Sequence, residues 1–265
     1  MNDKTQSKTT ALITGASTGI GAVYADRLAR RGYDLVLVAR DQARMQTLAE
    51  KLRKETGVKV EIIAADLTDD AQLAKVEQRL REDAGIGLLV NNAGMAAPGG
   101  FAAPDRAVIH KLLALNVTAV TQLAAAVTPR FIAQKAGAII NIGSVVGLAP
   151  EIGMGAYGAT KSFVLTLSQS LATEAGPHGV YVQAVLPAAT RTEIWERSGR
   201  NVNDVKGVME VDELVDAALV GFDRREAVTI PPLPDVKQWE AFHAARLAML
   251  PNFAQEHAAE RYRKV

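Results

Sequence analysis

The sequence contains no cysteine. That excludes disulfide staples, thiolate metal sites and a cysteine nucleophile. Its histidines, His110, His178, His243 and His257, are scattered and form no metal-ligand spacing. No apolar run reaches the ~18 residues that suggest a membrane span. The opening segment, MNDKTQSKTT, has no apolar stretch of the secretory type. A net charge of only +1 gives no reason to expect a nucleic acid or an anionic membrane surface as partner. These absences point to a cytoplasmic protein acting on small molecules. The rest of the composition is that of a globular enzyme: 265 residues, 48% hydrophobic and 22% charged, enough for one large α/β domain.

Residues 1–8 read as a flexible tail. TALIT (Thr10–Thr14) is then a short apolar run, GASTGIG (Gly15–Gly21) a glycine-rich turn, and AVYADRLARRG a helix closing at Gly32, before a second apolar run at Asp34–Ala39. Strand, turn, helix and strand within about 30 residues make one βαβ unit. The unit repeats. Further strands are expected at Val60–Ala65, Leu88–Val90, Ala138–Ile142, Tyr181–Leu186 and Val228–Ile230, with helices at 41–56, 69–84, 105–134 and 156–175. Pro129 should kink or break the long third helix of that set. The strands are nearly continuous apolar runs, the pattern of parallel strands covered on both faces. The expectation is a doubly wound Rossmann fold, a seven-stranded parallel sheet with helices on both faces, in a single domain over 1–265. Two segments depart from the repeat. Residues 190–210 are polar and irregular, with helical character around Thr192–Arg200, and suggest a substrate loop. Residues 231–265 begin PPLPD and read as a helical extension of two short helices broken at Pro251.

A glycine pattern carries information when it lies between a strand and a helix. Gly15, Gly19 and Gly21 do, at GxxxGxG spacing. Such a turn lets a backbone approach a pyrophosphate, and the helix N-terminus offers its N–H groups to the phosphates. Ser17, Thr18 and Ile20 complete the turn. The second strand ends at Ala39, where an acid would bind the ribose 2′-hydroxyl of NAD. No acid stands there. Arg40 follows, nineteen residues after Gly21, and can fork onto a 2′-phosphate, with Ser17 or Thr18 as hydroxyl donors. Asp41 is one place late and suits the cap of the next helix. NADP(H) is therefore expected over NAD(H).

Tyr157 and Lys161 lie four apart on an expected helix and so share a face. Ser144 ends an apolar run thirteen residues before Tyr157. A cation beside a phenol favours phenolate and lowers its pKa. A phenol tuned that way can exchange a proton with a carbonyl or alcohol oxygen.

Taken together, TGASTGIG, Asp66, NNAG (Asn91–Gly94), Asn116, Ser144, YGATK (Tyr157–Lys161) and the Pro187 to Thr192 segment resemble the short-chain dehydrogenase/reductase family, in its compact single-domain branch. The resemblance spans about Thr10 to Thr192. It implies Tyr157 as general acid/base, Ser144 as the hydroxyl holding the substrate oxygen, and Lys161 as the cation that lowers the phenol pKa and binds the nicotinamide ribose. It implies Asn116 as the residue positioning a water on the proton path. Asp66 and Leu67 would flank the adenine. Asn92, Ala93 and Gly94 would support the sheet and touch the adenosine ribose, and Pro187 and Thr192 would close over the nicotinamide. It further implies a homodimer or homotetramer paired through helices at about 105–130 and 156–175. One departure stands out: Pro187-Ala188 replaces the family's Pro-Gly, so Ala188 would be strained if that position needs φ > 0.

The expected activity is hydride transfer between NADP(H) and a carbonyl or secondary alcohol. The alternative is an NADP(H)-binding regulator or scaffold without turnover. Nucleotide-sugar epimerase or dehydratase chemistry resembles a longer branch with another glycine spacing. The expected pocket wall, Val145, Val146, Leu148, Ile152, Met154, Ala96, Ala97, Pro98 and the 190–209 segment, is mostly apolar and favours an apolar or aromatic carbonyl substrate. Trp195, Trp239, Phe242 and Phe253 suit a pocket lining or a subunit interface.

Overall fold

A computed structural model describes residues 9–97, 101, 105–199 and 201–263. The expected tail at 1–8, Pro98 of the expected pocket wall, Arg200 and the last two residues lie outside the described residues. Strands β1 (Thr10–Thr14), β2 (Asp34–Ala39), β3 (Val60–Ala64), β4 (Ile86–Asn91), β5 (Ala138–Ile142), β6 (Tyr181–Val185) and β7 (Val228–Thr229) form one parallel sheet, in the order β3-β2-β1-β4-β5-β6-β7. The chain winds outward from β1 to β3, then crosses back to β4 on the other side of β1. Ligands of such sheets bind at this reversal, beyond the carboxyl ends of the strands.

Leu35, Val36, Leu37 and Val38 are all buried although their side chains alternate between faces. Both faces are covered, as their unbroken apolar run requires. On one face, α1 (Gly19–Arg30), α2 (Gln42–Thr56) and α8 (Val211–Asp223) bring Tyr24, Leu28, Met45, Leu52, Val215 and Leu219 onto Ile13, Leu35, Leu37 and Val90. On the other, α3 (Asp70–Glu82), α5 (Val120–Gln134) and α6 (Gly155–Ala175) bring Leu73, Val76, Leu80, Leu123, Phe131 and Ala175 onto Leu12, Val36, Leu89 and Val182. Each such fully buried leucine or phenylalanine is worth about 1.5–3 kcal/mol relative to exposure, so these layers decide where the helices lie.

The helix expected over 105–134 is not uniform. It runs as α4 (Arg106–Leu113), a π-helical segment Ala114–Ala119, and α5, which continues through Pro129 to Gln134. Its irregularity therefore falls at Asn116 and not at the proline. By length and composition Arg106–Gln134 is apolar enough to cross a membrane, which a simple count of uninterrupted apolar residues misses. Here its inner side is core: Leu112, Leu123, Val127 and Phe131 are buried.

The chain divides into two compact units, Met1–Pro231 and Pro232–Val265. The second holds α9 (Val236–Leu247), capped by the Asp235 carboxylate on the Lys237 N–H and ordered internally by Trp239 against His243 and Phe242. The two helices expected there reduce to one. Pro251 lies in a short 3₁₀ turn, Leu250–Asn252, at a position where a missing N–H leaves no bond unmade.

Candidate active site

Parallel strands deliver their carboxyl ends to one edge, and the candidate residues collect there. The β1 turn comes first. Gly15 and Gly19 have φ of +66° and +55°, values that side chains other than glycine adopt only with strain. A Cβ on Gly21 would stand 2.4 Å from the Gly15 carbonyl oxygen and 2.5 Å from Asn92 Nδ2, so only glycine lets α1 close onto the turn. Thr18 caps α1 in extended backbone without a side-chain cap bond, and no acid occupies the first turn. By contrast Asp41 and Asp69 cap α2 and α3 through their carboxylates. The first N–H groups of α1 are thus left to an outside acceptor, which suits a pyrophosphate. Ser17 is partly buried in the turn, while Ile20 packs on the core.

The stretch after β4 clamps this turn. Asn92 Nδ2 donates to the Thr14 carbonyl at 2.8 Å, and the Asn92 and Ala93 N–H groups both donate to Thr14 Oγ1 at 3.0 Å. Thr14 was not singled out in the sequence. A threonine closing an apolar strand gives no signal that its hydroxyl will gather two distant amides. Gly94 keeps space between Asn116 and Lys161: a Cβ there would be 3.4 Å from Asn116 Oδ1 and 3.6 Å from Lys161 Nζ.

Ser144, at the end of β5, sits at the N-cap of a 3₁₀ turn, Val145–Gly147. Its hydroxyl donates to the Pro187 carbonyl at 3.2 Å and accepts from the Val146 N–H at 3.4 Å. Gly147 seats this turn on α6, where a Cβ would be 2.7 Å from the Lys161 carbonyl carbon. Lys161 is 6% exposed, and its ammonium donates to the Ile142 carbonyl at 2.9 Å. Burial pushes that ammonium down to about 8. Burial also pushes the Tyr157 phenol up to about 12, against a smaller opposing pull from Ser144. The expected shift of the phenol was downward. Lys161 is turned to Ile142, with Nζ 5.7 Å from the centre of the phenol ring, and loss of solvation decides the direction of the phenol's shift.

Asn116 is 1% exposed within the π segment. Its Oδ1 accepts from the Met95 N–H at 2.9 Å, and its Nδ2 donates to the Met95 carbonyl and to Thr160 Oγ1, at 2.9 and 3.1 Å. Thr160 in turn donates to the Tyr157 carbonyl at 2.7 Å. Both amide hydrogens are committed to protein, so the side chain braces the Met95 loop against α6. π-helical turns of this kind recur at functional sites. Thr160 lies between the two catalytic candidates in the sequence, yet only the fold shows it as the link to Asn116.

Arg40 follows β2, largely exposed, with Nη1 3.8 Å from Asp66. Burial works to raise the Asp66 carboxyl, but two Thr68 hydrogen bonds and the Arg40 and Lys111 charges outweigh it and hold the carboxyl below its usual range. Leu67 is 5% exposed and packs in the core. Pro187 is buried and its carbonyl ties β6 to the Ser144 turn. Thr192 lies on the glycine turn, 3.2 Å from where a Gly19 Cβ would be. Among the described residues, only Lys135 and Arg225 have positive φ without being glycine. Ala188 therefore carries no left-handed strain, and the missing glycine needs no compensation. The 188–192 segment is braced by Met209, through Met209 N–H to the Ala189 carbonyl and Arg191 N–H to the Met209 carbonyl. Residues 194–197 form the four-residue α7 (Ile194–Arg197), and Trp195 Nε1 donates to the Thr190 carbonyl at 2.7 Å.

Residues 9–203 match the model of the family described as short chain dehydrogenase. Among solved structures, a short-chain dehydrogenase from Sphingobium yanoikuyae in complex with NADPH is 64% identical, with a TM-score of 0.95 over 96% of this chain and 100% of that one. The bulky-bulky ketone specific alcohol dehydrogenase from Comamonas testosteroni is 56% identical, with a TM-score of 0.91 over 98% of this chain and 100% of that one. Among curated proteins, the very-long-chain 3-oxoacyl-CoA reductase of Podospora anserina is 34% identical over 67% of this chain, which spans about half of that protein, 54%. The seven-stranded parallel sheet agrees with these matches: the chain belongs to the short-chain dehydrogenase family of oxidoreductases.

Proposed function

We propose that this protein is an NADP(H)-dependent carbonyl reductase and secondary-alcohol dehydrogenase, with Tyr157 as the residue that moves the proton. The observation that carries this reading is Tyr157 and Lys161 one turn apart on α6, with the buried ammonium 5.7 Å from the centre of the phenol ring. Gly15, Ser17, Thr18, Gly19 and Gly21 would hold the pyrophosphate, Arg40 the 2′-phosphate, and Asn92 to Gly94, Lys161, Pro187 and Thr192 the ribose and nicotinamide end. When bound, the nicotinamide exchanges hydride with the substrate carbon. Ser144 holds the substrate oxygen, and Tyr157 donates its proton to that oxygen. The phenol carries its proton at neutral pH and can give it to that oxygen. Alcohol oxidation needs the phenolate and gains with rising pH. Lys161 gives a buried positive charge beside the phenol, and Asn116 positions the Met95 loop and α6 around both.

The substrate in this reading is a ketone with bulky apolar substituents. Exposed Ile152 and Phe101, and partly buried Val145, Val146 and Leu148, give apolar surface on the segments that flank Tyr157. The Comamonas relative is named for bulky ketones. We place the enzyme in the cytoplasm, with the 1–265 chain working as one catalytic domain, 190–210 as its substrate loop and 231–265 as its helical extension. It pairs as a homodimer or homotetramer through Arg106–Gln134 and α6, where Leu113 and Phe163 remain exposed. The regulator reading has no observation in its favour.

Tyr157→Phe tests the proposal. The variant should bind NADPH as the wild type does and lose at least a hundredfold in kcat, within the range that general acid–base groups contribute, roughly 10²–10⁴. Retained turnover with intact binding would remove Tyr157 from the mechanism.

A further inference from the structure

Ser162 follows Lys161 on α6. A serine or threonine inside a helix can turn its hydroxyl onto the carbonyl four residues back. Ser168 and Thr173 of α6 do so, donating to Val164 and Gln169 at 2.7 and 3.0 Å. Ser162 instead sends its hydroxyl out of the helix, to the Gly147 carbonyl at 2.6 Å.

That bond lands on the turn that carries Ser144. Gly147 closes this turn, and its N–H donates to the Ser144 carbonyl at 3.0 Å. On the sheet side the turn is held by Pro187, whose carbonyl accepts from the Val145 N–H at 2.9 Å and from the Ser144 hydroxyl at 3.2 Å. On the helix side two glycines let backbone meet backbone. A Cβ on Gly147 would be 2.8 Å from the Ser162 nitrogen, and one on Gly158 would be 3.4 Å from the Val146 carbonyl oxygen. Packing sets how near the turn comes to α6. A hydrogen bond, which weakens as it departs from its preferred angle, also sets where along the helix the turn rests. Consecutive residues of α6 thus hold the chain on both sides of Ser144. Lys161 donates to the Ile142 carbonyl at 2.9 Å, two residues before it, and Ser162 to the Gly147 carbonyl, three residues after it. The same helix carries Tyr157.

We propose that Ser162 is a positioning residue for the reaction. By holding Gly147 to α6 it fixes the Ser144 hydroxyl relative to Tyr157, so that one substrate oxygen can meet both. It acts through the Ser144 turn and not on the reacting atoms. This proposal rests on the carbonyl-reductase reading above.

Steady-state reduction of a panel of bulky aryl ketones with NADPH tests it, on the full chain as wild type, Ser162→Ala, Ser162→Val and Ser162→Thr. Threonine keeps the hydroxyl, and valine has its shape without it. Ser162→Ala and Ser162→Val should lose about ten- to hundredfold in kcat, the scale of a misplacement of about 1 Å between reacting groups. KM for the ketone and NADPH affinity, read by fluorescence titration, should stay within about twofold, because the loss falls on the transition state. Ser162→Thr should restore turnover. Alanine and valine variants as fast as the wild type overturn the role of Ser162 and keep the carbonyl-reductase reading. A threonine variant as slow as the valine one overturns it too, because the hydroxyl is then not what matters. So does a fall in kcat matched by weaker NADPH binding, because the substitution then disturbs the fold as a whole. A wild type that binds NADPH and reduces no ketone of the panel removes the carbonyl-reductase reading and this proposal together.

Discussion

Replacing Lys161 by methionine should abolish turnover and at the same time stabilise the protein at neutral pH. The ammonium is 6% exposed, and burial takes it from 10.5 to about 8. At ~1.4 kcal/mol per unit, the folded state bears about 3 kcal/mol for keeping this group charged. Methionine is close in length and carries no charge. It also leaves the Ile142 carbonyl without its donor, which gives back about 1 kcal/mol. A net gain of about 2 kcal/mol at pH 7 corresponds to roughly 5 °C in Tm for a chain of this size. The sign with pH follows from which state holds the proton. Below about 8 both states hold it and the penalty is complete. Between about 8 and 10.5 the unfolded chain keeps a proton that the folded one has released, so wild-type stability rises relative to the variant. By 10.5 the penalty is largely gone and the order should have reversed, with wild type ahead by the ~1 kcal/mol of its hydrogen bond to Ile142. Thermal unfolding of both proteins, followed by circular dichroism from pH 7 to 10.5, measures it. A variant less stable than wild type at pH 7, or a gap that ignores pH, would show that the lysine charge is not strained by burial and that Lys161 is a structural residue.

Three further outcomes are expected. Arg40→Ala should lower kcat/KM for NADPH by tenfold or more and leave NADH nearly unchanged; equal losses for both cofactors would take the arginine away from the 2′-phosphate. Gly21→Ala forces a Cβ to 2.4 Å from the Gly15 carbonyl oxygen. It should cost about 1–3 kcal/mol in urea unfolding and weaken NADPH binding, and wild-type values for both would show that the turn relaxes freely. Ala188→Gly should bring no gain in activity and a loss of about 0.4–1 kcal/mol in stability, because a residue without positive φ gains nothing from glycine in the folded state while the unfolded chain gains freedom; a stabilised variant would mean that Ala188 is strained after all.

Much of the frame could be read before any coordinates. Unbroken apolar runs such as Leu35–Val38 require cover on both faces, and GxxxGxG between a strand and a helix has few other uses. Asp41 as the α2 cap and Gly57 as its left-handed end follow from local chemistry alone, and both are found. What escaped depends on tertiary context. The π segment at Asn116 has no compositional mark in ALNVTA, and the Asn116 amide is the brace between Met95 and Thr160. The direction of the Tyr157 shift depends on burial, which the four-residue spacing to Lys161 does not reveal. The ion pair of Arg44 with Glu193 joins residues 149 apart in the chain. Pro129 was the obvious break in the long helix, yet the helix continues through it.

Isotope transfer in a single turnover tests the central claim most directly. The wild-type enzyme is mixed with NADPH deuterated at nicotinamide C4, on the transferring face, and a bulky aryl ketone, and the product alcohol is read by mass spectrometry. The deuterium should appear on the carbinol carbon in the wild type. In Tyr157→Phe, still saturated with NADPH, the labelled alcohol should fall at least a hundredfold. An alcohol formed without the label, or label transferred as fast without the phenol, would contradict the proposed transfer of hydride from cofactor and proton from Tyr157.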